Sequence, residues 1–315
     1  MPLSPDLHNF LQKVKDQGFP ALHTLTPTAA RSLIDQGRYA KFPVAYHPDV
    51  LVTHQTLTTP DTNLPIRIYQ PSDMTRTYPG IVFYHGGGFT FGTLDGYEDF
   101  CIMLSLTTQS VVISVAFRLA PEFPFPTPVE DCYFATTWIA KHLQDYHITD
   151  NELFIAGESA GGNLAAVVAL MLRDRQSATV KGQILIYPMT DSDFNTASYL
   201  QYATANPLLT REDFMWFWQQ YTTTTNERLS PYTAPLKSHH LEHLPPALIL
   251  TATCDPLHDE GAAYAKRMDA AQCLYAYDSY ENMCHGFIYY ESIIPSAKTA
   301  TLDIMQRIKK MINAD

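Results

Sequence analysis

The chain has 315 residues, 46% hydrophobic and 17% charged, enough apolar material for one large α/β domain or two small ones and too much for disorder away from the ends. Its 21 basic and 32 acidic residues give a net charge of −11 with no basic cluster, which argues against nucleic acid and against an anionic membrane surface as partners. Met1 to Phe10 lacks a charged-then-apolar leader pattern, and no apolar run approaches the roughly 18 residues of a membrane span. The five cysteines, Cys101, Cys132, Cys254, Cys273 and Cys284, are odd in number and contain no C-x-x-C pair, so reduced thiols in the cytoplasm are expected.

Residues 1 to about 45 are polar with helical spacing at Leu7, Phe10, Leu11 and Val14, and Thr26-Pro27 starts a second short helix reaching Ile34. Extended segments follow. Val52–Leu57 and Pro65–Tyr69 alternate as half-buried antiparallel strands do, whereas Ile81–Tyr84 and Val111–Val115 are unbroken β-branched runs suited to strands covered on both faces. Helix and strand then alternate: helices at Phe134–Leu143, Asn163–Leu172, Ala262–Ala271 and Ala297–Met311, and strands at Leu153–Ala156, Gln183–Ile186, Ala247–Ala252 and Leu274–Tyr277. That alternation predicts a mostly parallel sheet of about eight strands with helices on both faces. Asp191–Leu244 interrupts it without a convincing strand and holds an aromatic helix at Glu212–Trp218 and a threonine-rich loop at Thr222–Thr225.

Three motifs carry chemistry. Gly157-Glu158-Ser159-Ala160-Gly161 lies between a strand pattern and a helix pattern, where a sharp turn exposes the serine hydroxyl at the top of a sheet. A serine hydroxyl needs a base within reach, and the base needs an orienting acid. In a parallel sheet both partners belong just past the carboxyl ends of later strands. Asp255 follows Ala247–Cys254, with Asp259 and Glu260 as rival acids. His285 follows the last strand after a short loop, in competition with eleven other histidines. The order Ser159, Asp255, His285 suits a nucleophile-elbow hydrolase, and activity should then fall as acid protonates the base. Finally, Ile81–Tyr84 runs into His85-Gly86-Gly87-Gly88-Phe89, a glycine run whose amides can face a developing oxyanion; it lacks the lysine ending of a phosphate cradle. His239-His240-Leu241-Glu242-His243 has metal-like spacing but lies among prolines without the order of a helical zinc motif.

With Asp255-Pro256-Leu257, His285-Gly286-Phe287, Tyr187-Pro188 and Phe117-Arg118-Leu119-Ala120-Pro121-Glu122 added, nearly the whole chain resembles the hormone-sensitive-lipase-like group of α/β-hydrolase esterases. The resemblance implies an α/β-hydrolase fold, a triad of Ser159, Asp255 and His285, and an oxyanion hole from the amides of Gly87, Gly88 and Ala160. It further implies a helical cap from residues 1–48 and an insertion at 191–244 over a catalytic domain of 49–190 and 245–315, with Phe89, Leu208, Trp216 and Phe287 meeting the substrate. The chain departs from the group at Glu158, where Asp is common, and at His258, where Arg is common. The activity so implied is cofactor-free and metal-free hydrolysis of short- to medium-chain carboxylic esters through an acyl-enzyme. The partners are a small ester and, at most, a second copy in a homodimer, with no stable membrane insertion. The rival readings are an amide or peptide hydrolase with the same triad and a non-catalytic small-molecule receptor on the same fold.

Overall fold

Alternate residues along each buried strand point to opposite faces, so unbroken apolar runs call for cover on both sides. The computed structural model, which describes residues 2–38, 47–59, 61–203 and 209–314, satisfies that demand. In chain order the elements are α1 (Pro5–Asp16), α2 (Pro27–Arg38), β1 (Val50–Thr58), β2 (Asn63–Pro71), β3 (Tyr78–Tyr84), α3 (Glu98–Thr108), β4 (Val111–Val115), α4 (Thr127–Lys141), β5 (Ile148–Glu158), α5 (Ala160–Asp174) and β6 (Gly182–Ile186). The chain continues through α6 (Ala197–Gln201), α7 (Arg211–Tyr221), α8 (Thr225–Arg228), β7 (Ala247–Cys254), α9 (His258–Ala270), β8 (Leu274–Cys284) and α10 (Pro295–Ile312).

The eight strands form one sheet in the order β1-β2-β4-β3-β5-β6-β7-β8. β1 and β2 are antiparallel to their neighbours, and β4 through β8 run parallel. Two apolar layers result. Val82, Tyr84, Ile113, Ile155 and Leu185 pack with α4, α5 and α9, while Ile81, Phe83, Val112, Phe154 and Ile184 pack with α3, α10 and α1. This is the α/β-hydrolase architecture expected from the sequence.

Two local differences from the sequence reading matter. β8 does not stop near Tyr277 but continues through Asp278–Asn282 to Cys284, so His285 follows the strand directly. Those polar residues are tolerated because β8 forms the sheet edge and is only partly buried over most of its length. The threonine loop is also shorter, because Thr224 caps α8 in a reciprocal capping box with Glu227.

Candidate active site

β5 enters α5 through one residue. Ser159 takes φ +55° and ψ −120°, outside the ordinary regions for a side-chain-bearing residue. The strand and helix approach so closely that a Cβ on Gly157 would lie 2.1 Å from the Gly161 carbonyl oxygen. Neighbouring groups hold the turn: Ser159 N–H donates to the Ile186 carbonyl at 2.9 Å, and the Ser159 carbonyl accepts from Met189 N–H at 3.1 Å. Asn163, one turn into α5, donates to the carbonyls of Met189 at 2.7 Å and Thr233 at 2.6 Å.

His285 and Asp255 come off the carboxyl ends of β8 and β7, which are neighbours in the sheet. The Asp255 carboxylate oxygen accepts from His285 Nδ1–H at 2.7 Å, which leaves Nε2 facing the Ser159 hydroxyl at 2.9 Å. The second Asp255 oxygen accepts the Leu257 N–H at 2.8 Å. The three side chains are almost dry, with Ser159 5%, Asp255 0% and His285 2% exposed, so these bonds are strong and poorly screened. The rival acids are engaged elsewhere. Asp259 accepts from Ser198 N–H at 2.8 Å, and Glu260 accepts from Thr190 N–H at 2.7 Å. Burial pushes the Glu260 carboxyl well above the usual carboxylate range. His258 meets Ser279 and Asp259, away from the triad.

The glycine run after β3 coils beside Ser159. Gly87, Gly88 and Phe89 have φ of +111°, +58° and +61°. The Gly87 carbonyl accepts from the N–H groups of Thr90 and Phe91, both at 3.0 Å, and the Gly88 carbonyl accepts from the Thr90 hydroxyl at 3.0 Å. Both carbonyls are thus engaged within the loop, and Ala160 supplies the first amide of α5. His85 fixes the start of the run by stacking on Phe117 at 4.3 Å. Arg118, in the following loop, grips Asp131 of α4 through two bonds of 2.9 and 2.7 Å.

A family model described as the α/β hydrolase fold matches residues 81–289, a span that contains every residue above. The chain belongs to the α/β-hydrolase fold family, in its hormone-sensitive-lipase-like group. An ethyl acetate hydrolase of Pseudomonas putida is 33% identical over 98% of this chain and 99% of its own. A carboxylesterase of Mycobacterium tuberculosis is 31% identical over 98% of both chains. Among solved structures, a thermostable esterase from Pseudomonas putida superposes with a TM-score of 0.92 at 30% identity, covering 100% of this chain and 99% of that one. The esterase of Pyrobaculum calidifontis gives 0.89 at 34% identity, covering 99% of this chain and 100% of its own.

Within this hydrolase the residues expected to meet substrate fall at different places. Phe89 stacks on Tyr221 of α7 at 3.7 Å, which holds its positive-φ backbone. Trp216 is buried beside Phe217, Phe287 packs on Tyr187, and Leu208 lies outside the described residues. Three other aromatics lie against the site, Phe214 and Phe217 from the aromatic helix and Tyr187 from the Tyr187-Pro188 pair, none of which the sequence singled out as meeting substrate. Phe214 sets its ring edge-to-face with His285 at 5.2 Å, and Tyr187 does so at 4.7 Å. Phe217 lies so close to Gly88 that a Cβ there would be 2.2 Å from its ring. The signal was present, because Phe214, Phe217, Trp218 and Tyr221 form one i, i+3, i+4, i+7 stripe and Trp216 lies off it. Among the described residues no group of three or more His, Cys, Asp or Glu side chains is arranged to hold a metal, and no helix is long and apolar enough to cross a membrane.

Proposed function

We infer that this protein is a serine carboxylesterase that cleaves small carboxylic esters through an acyl-enzyme. The observation that carries the reading is the continuous relay Ser159 Oγ–His285 Nε2–Asp255, with gaps of 2.9 and 2.7 Å, beside the glycine run. Ser159 Oγ bonds to the ester carbonyl carbon as His285 Nε2 takes its proton. Asp255 holds the imidazole in the tautomer that can accept and stabilises the imidazolium that forms. The amides of Gly87, Gly88 and Ala160 face the oxyanion, each good donor contributing roughly 3–4 kcal/mol to the barrier reduction. The imidazolium returns the proton to the leaving alkoxide. Water then attacks the acyl-enzyme by the same path, releasing the acid and restoring Ser159.

Residues 1–48 and 191–244, of which 1, 39–46 and 204–208 lie outside the described residues, are assigned here as the cap. In support, His23 takes Asp213 of α7 through its backbone N–H and its ring, both at 2.8 Å, so the two segments are tied to each other. Arg31 of α2 ties the cap to the glycine loop through the Thr90 carbonyl at 2.7 Å. Phe214 over His285 and Phe217 against Gly88 limit the space above the nucleophile, which supports short to medium acyl chains. Five buried cysteine thiols agree with a reducing cytoplasm.

The test is hydrolysis of p-nitrophenyl acetate and of the matching anilide by the wild type and by Ser159→Ala. The ester is expected to be cleaved much faster than the anilide, and Ser159→Ala is expected to fold normally and lose roughly 10⁴–10⁶ in kcat. Retained turnover in the folded variant would remove Ser159 from the role.

A further inference from the structure

Glu158, the residue before the nucleophile, is fully buried and takes no part in the relay. Its Oε1 accepts from the Tyr97 hydroxyl at 2.5 Å and from the Tyr289 hydroxyl, and the two hydroxyls also touch each other. Oε2 has no hydrogen-bond partner among the described residues, so the carboxyl is held from one side only. No basic side chain forms an ion pair with it among the described residues, an arrangement that is costly for a buried acid and calls for a purpose.

The three residues come from three separate segments, Glu158 from the end of β5 and the two tyrosines from two turns. Tyr97 ends the turn Asp95–Tyr97 that follows the glycine run, and its ring lies 5.3 Å from that of His85 at the start of the run. Tyr289 lies in the turn Phe287–Tyr290 just past His285, with its N–H bonded to the Gly286 carbonyl at 3.1 Å. The Glu158 carboxyl fills the space beneath Gly86, where a Cβ would lie 1.8 Å from Oε1. One oxygen atom thus touches the oxyanion loop, the loop of the general base and the strand that presents the nucleophile. The tyrosine rings meet edge-to-face at 5.7 Å, which leaves the cluster little room to rearrange.

We propose that Glu158, Tyr97 and Tyr289 form a positioning unit that fixes the oxyanion loop and the His285 loop relative to Ser159. The inference rests on the esterase reading above and assigns to the departure at Glu158 a task in that reaction. None of the three touches the substrate. They act through the distances between groups that do, where errors near 1 Å are expensive.

The test compares wild type with Tyr97→Phe, Tyr289→Phe, the double variant and Glu158→Asp, reading kcat, KM for p-nitrophenyl acetate, thermal midpoint and the fraction of sites titrated by a phosphonate. Each single Phe change is expected to lower kcat about tenfold or more, with KM within about twofold and full phosphonate titration. The double variant should lose little beyond the worse single change, because both hydroxyls meet at one oxygen. Glu158→Asp, one methylene short of that meeting point, should behave like the double variant. If all four keep kcat within about twofold, or if the loss appears as fewer titratable sites at unchanged kcat per site, the proposal is overturned. A wild type without esterase activity would instead sink the functional reading on which it stands.

Discussion

Asp255→Asn tests the relay most sharply, because the surrounding bonds dictate how the amide must turn. One Asp255 oxygen accepts the buried Leu257 N–H at 2.8 Å, and the other accepts from His285 Nδ1 at 2.7 Å. An asparagine has only one acceptor. Turning its carbonyl to His285 would set its NH2 against the Leu257 N–H and leave two buried donors facing each other, at a cost of about 1–3 kcal/mol for each unpaired group. The carbonyl therefore stays with Leu257, and the NH2 donates to Nδ1. That selects the tautomer with hydrogen on Nε2, which faces Ser159 with a donor where an acceptor is needed. The expected result is a fall in kcat of about 10⁴, equal to roughly 5.5 kcal/mol, with little change in KM or in folding. The assay is steady-state hydrolysis of p-nitrophenyl acetate, with circular dichroism as the folding control. A loss below about tenfold in a folded variant would refute the claim that Asp255 sets the tautomer.

Phe217→Ala removes the ring that lies against Gly88, so the ratio of octanoate to acetate kcat/KM should rise about tenfold or more in an acyl-length series. Arg31→Ala deletes donors to the Thr90 and Ala120 carbonyls, both near 2.8 Å, and a half-exposed ion pair with Glu122 that contributes less. It should destabilise by about 2 kcal/mol, visible as a melting point lower by about 4 °C and faster proteolysis near the N-terminus. Asp6 tests docking of α1: partial burial pushes its carboxyl up, but the Ser296 N–H and hydroxyl, Ser4 and the Leu7 N–H outweigh that and bring it from 3.8 down to about 2. Because the folded value is depressed, its contribution is present above the unfolded value of 3.8 and lost as pH falls through about 2. The stability gap between wild type and Asp6→Asn in urea titrations should therefore be open at neutral pH and close across that acid window.

What the sequence disclosed followed from local chemistry. Unbroken runs such as Val111–Val115 could only be strands covered on both faces, and Gly157–Gly161 could only be a turn where backbones nearly touch. The path of β8 to Cys284 was hidden because Asp278 to Asn282 are polar, and polarity reads as loop unless the strand is known to lie at an edge. The aromatic contacts to His285 required knowing which face of α7 turns inward. Phe214 and Trp216 are equally apolar, and only the helical phase separates them. The meeting of Tyr97, Glu158 and Tyr289 left no signature at all, since its members lie up to 192 positions apart and share no spacing rule.

The placement of the histidine shows how register becomes chemistry. Along β7 and β8, Ala252 pairs with Tyr280 and Cys254 with Cys284, so β7 advances two residues while β8 advances four. The extra length sits at an irregularity beside Asn282, whose φ is +63°. Its N–H is held by the Thr253 hydroxyl at 2.9 Å, and its carbonyl takes Ser4 N–H at 3.0 Å from the segment entering α1. Without the bulge, Cys254 would lie opposite Asn282, and the residue beside Asp255 would be Met283. With it, Asp255 and His285 emerge from neighbouring strands at the same level, about 4.8 Å apart along the ladder, a spacing that a carboxylate and an imidazole close to one hydrogen bond. The partly buried, polar and bulged end of β8 is therefore a register device: it trades two residues of regular pairing for the alignment of base and acid, and the entry to the N-terminal helix clamps it in place.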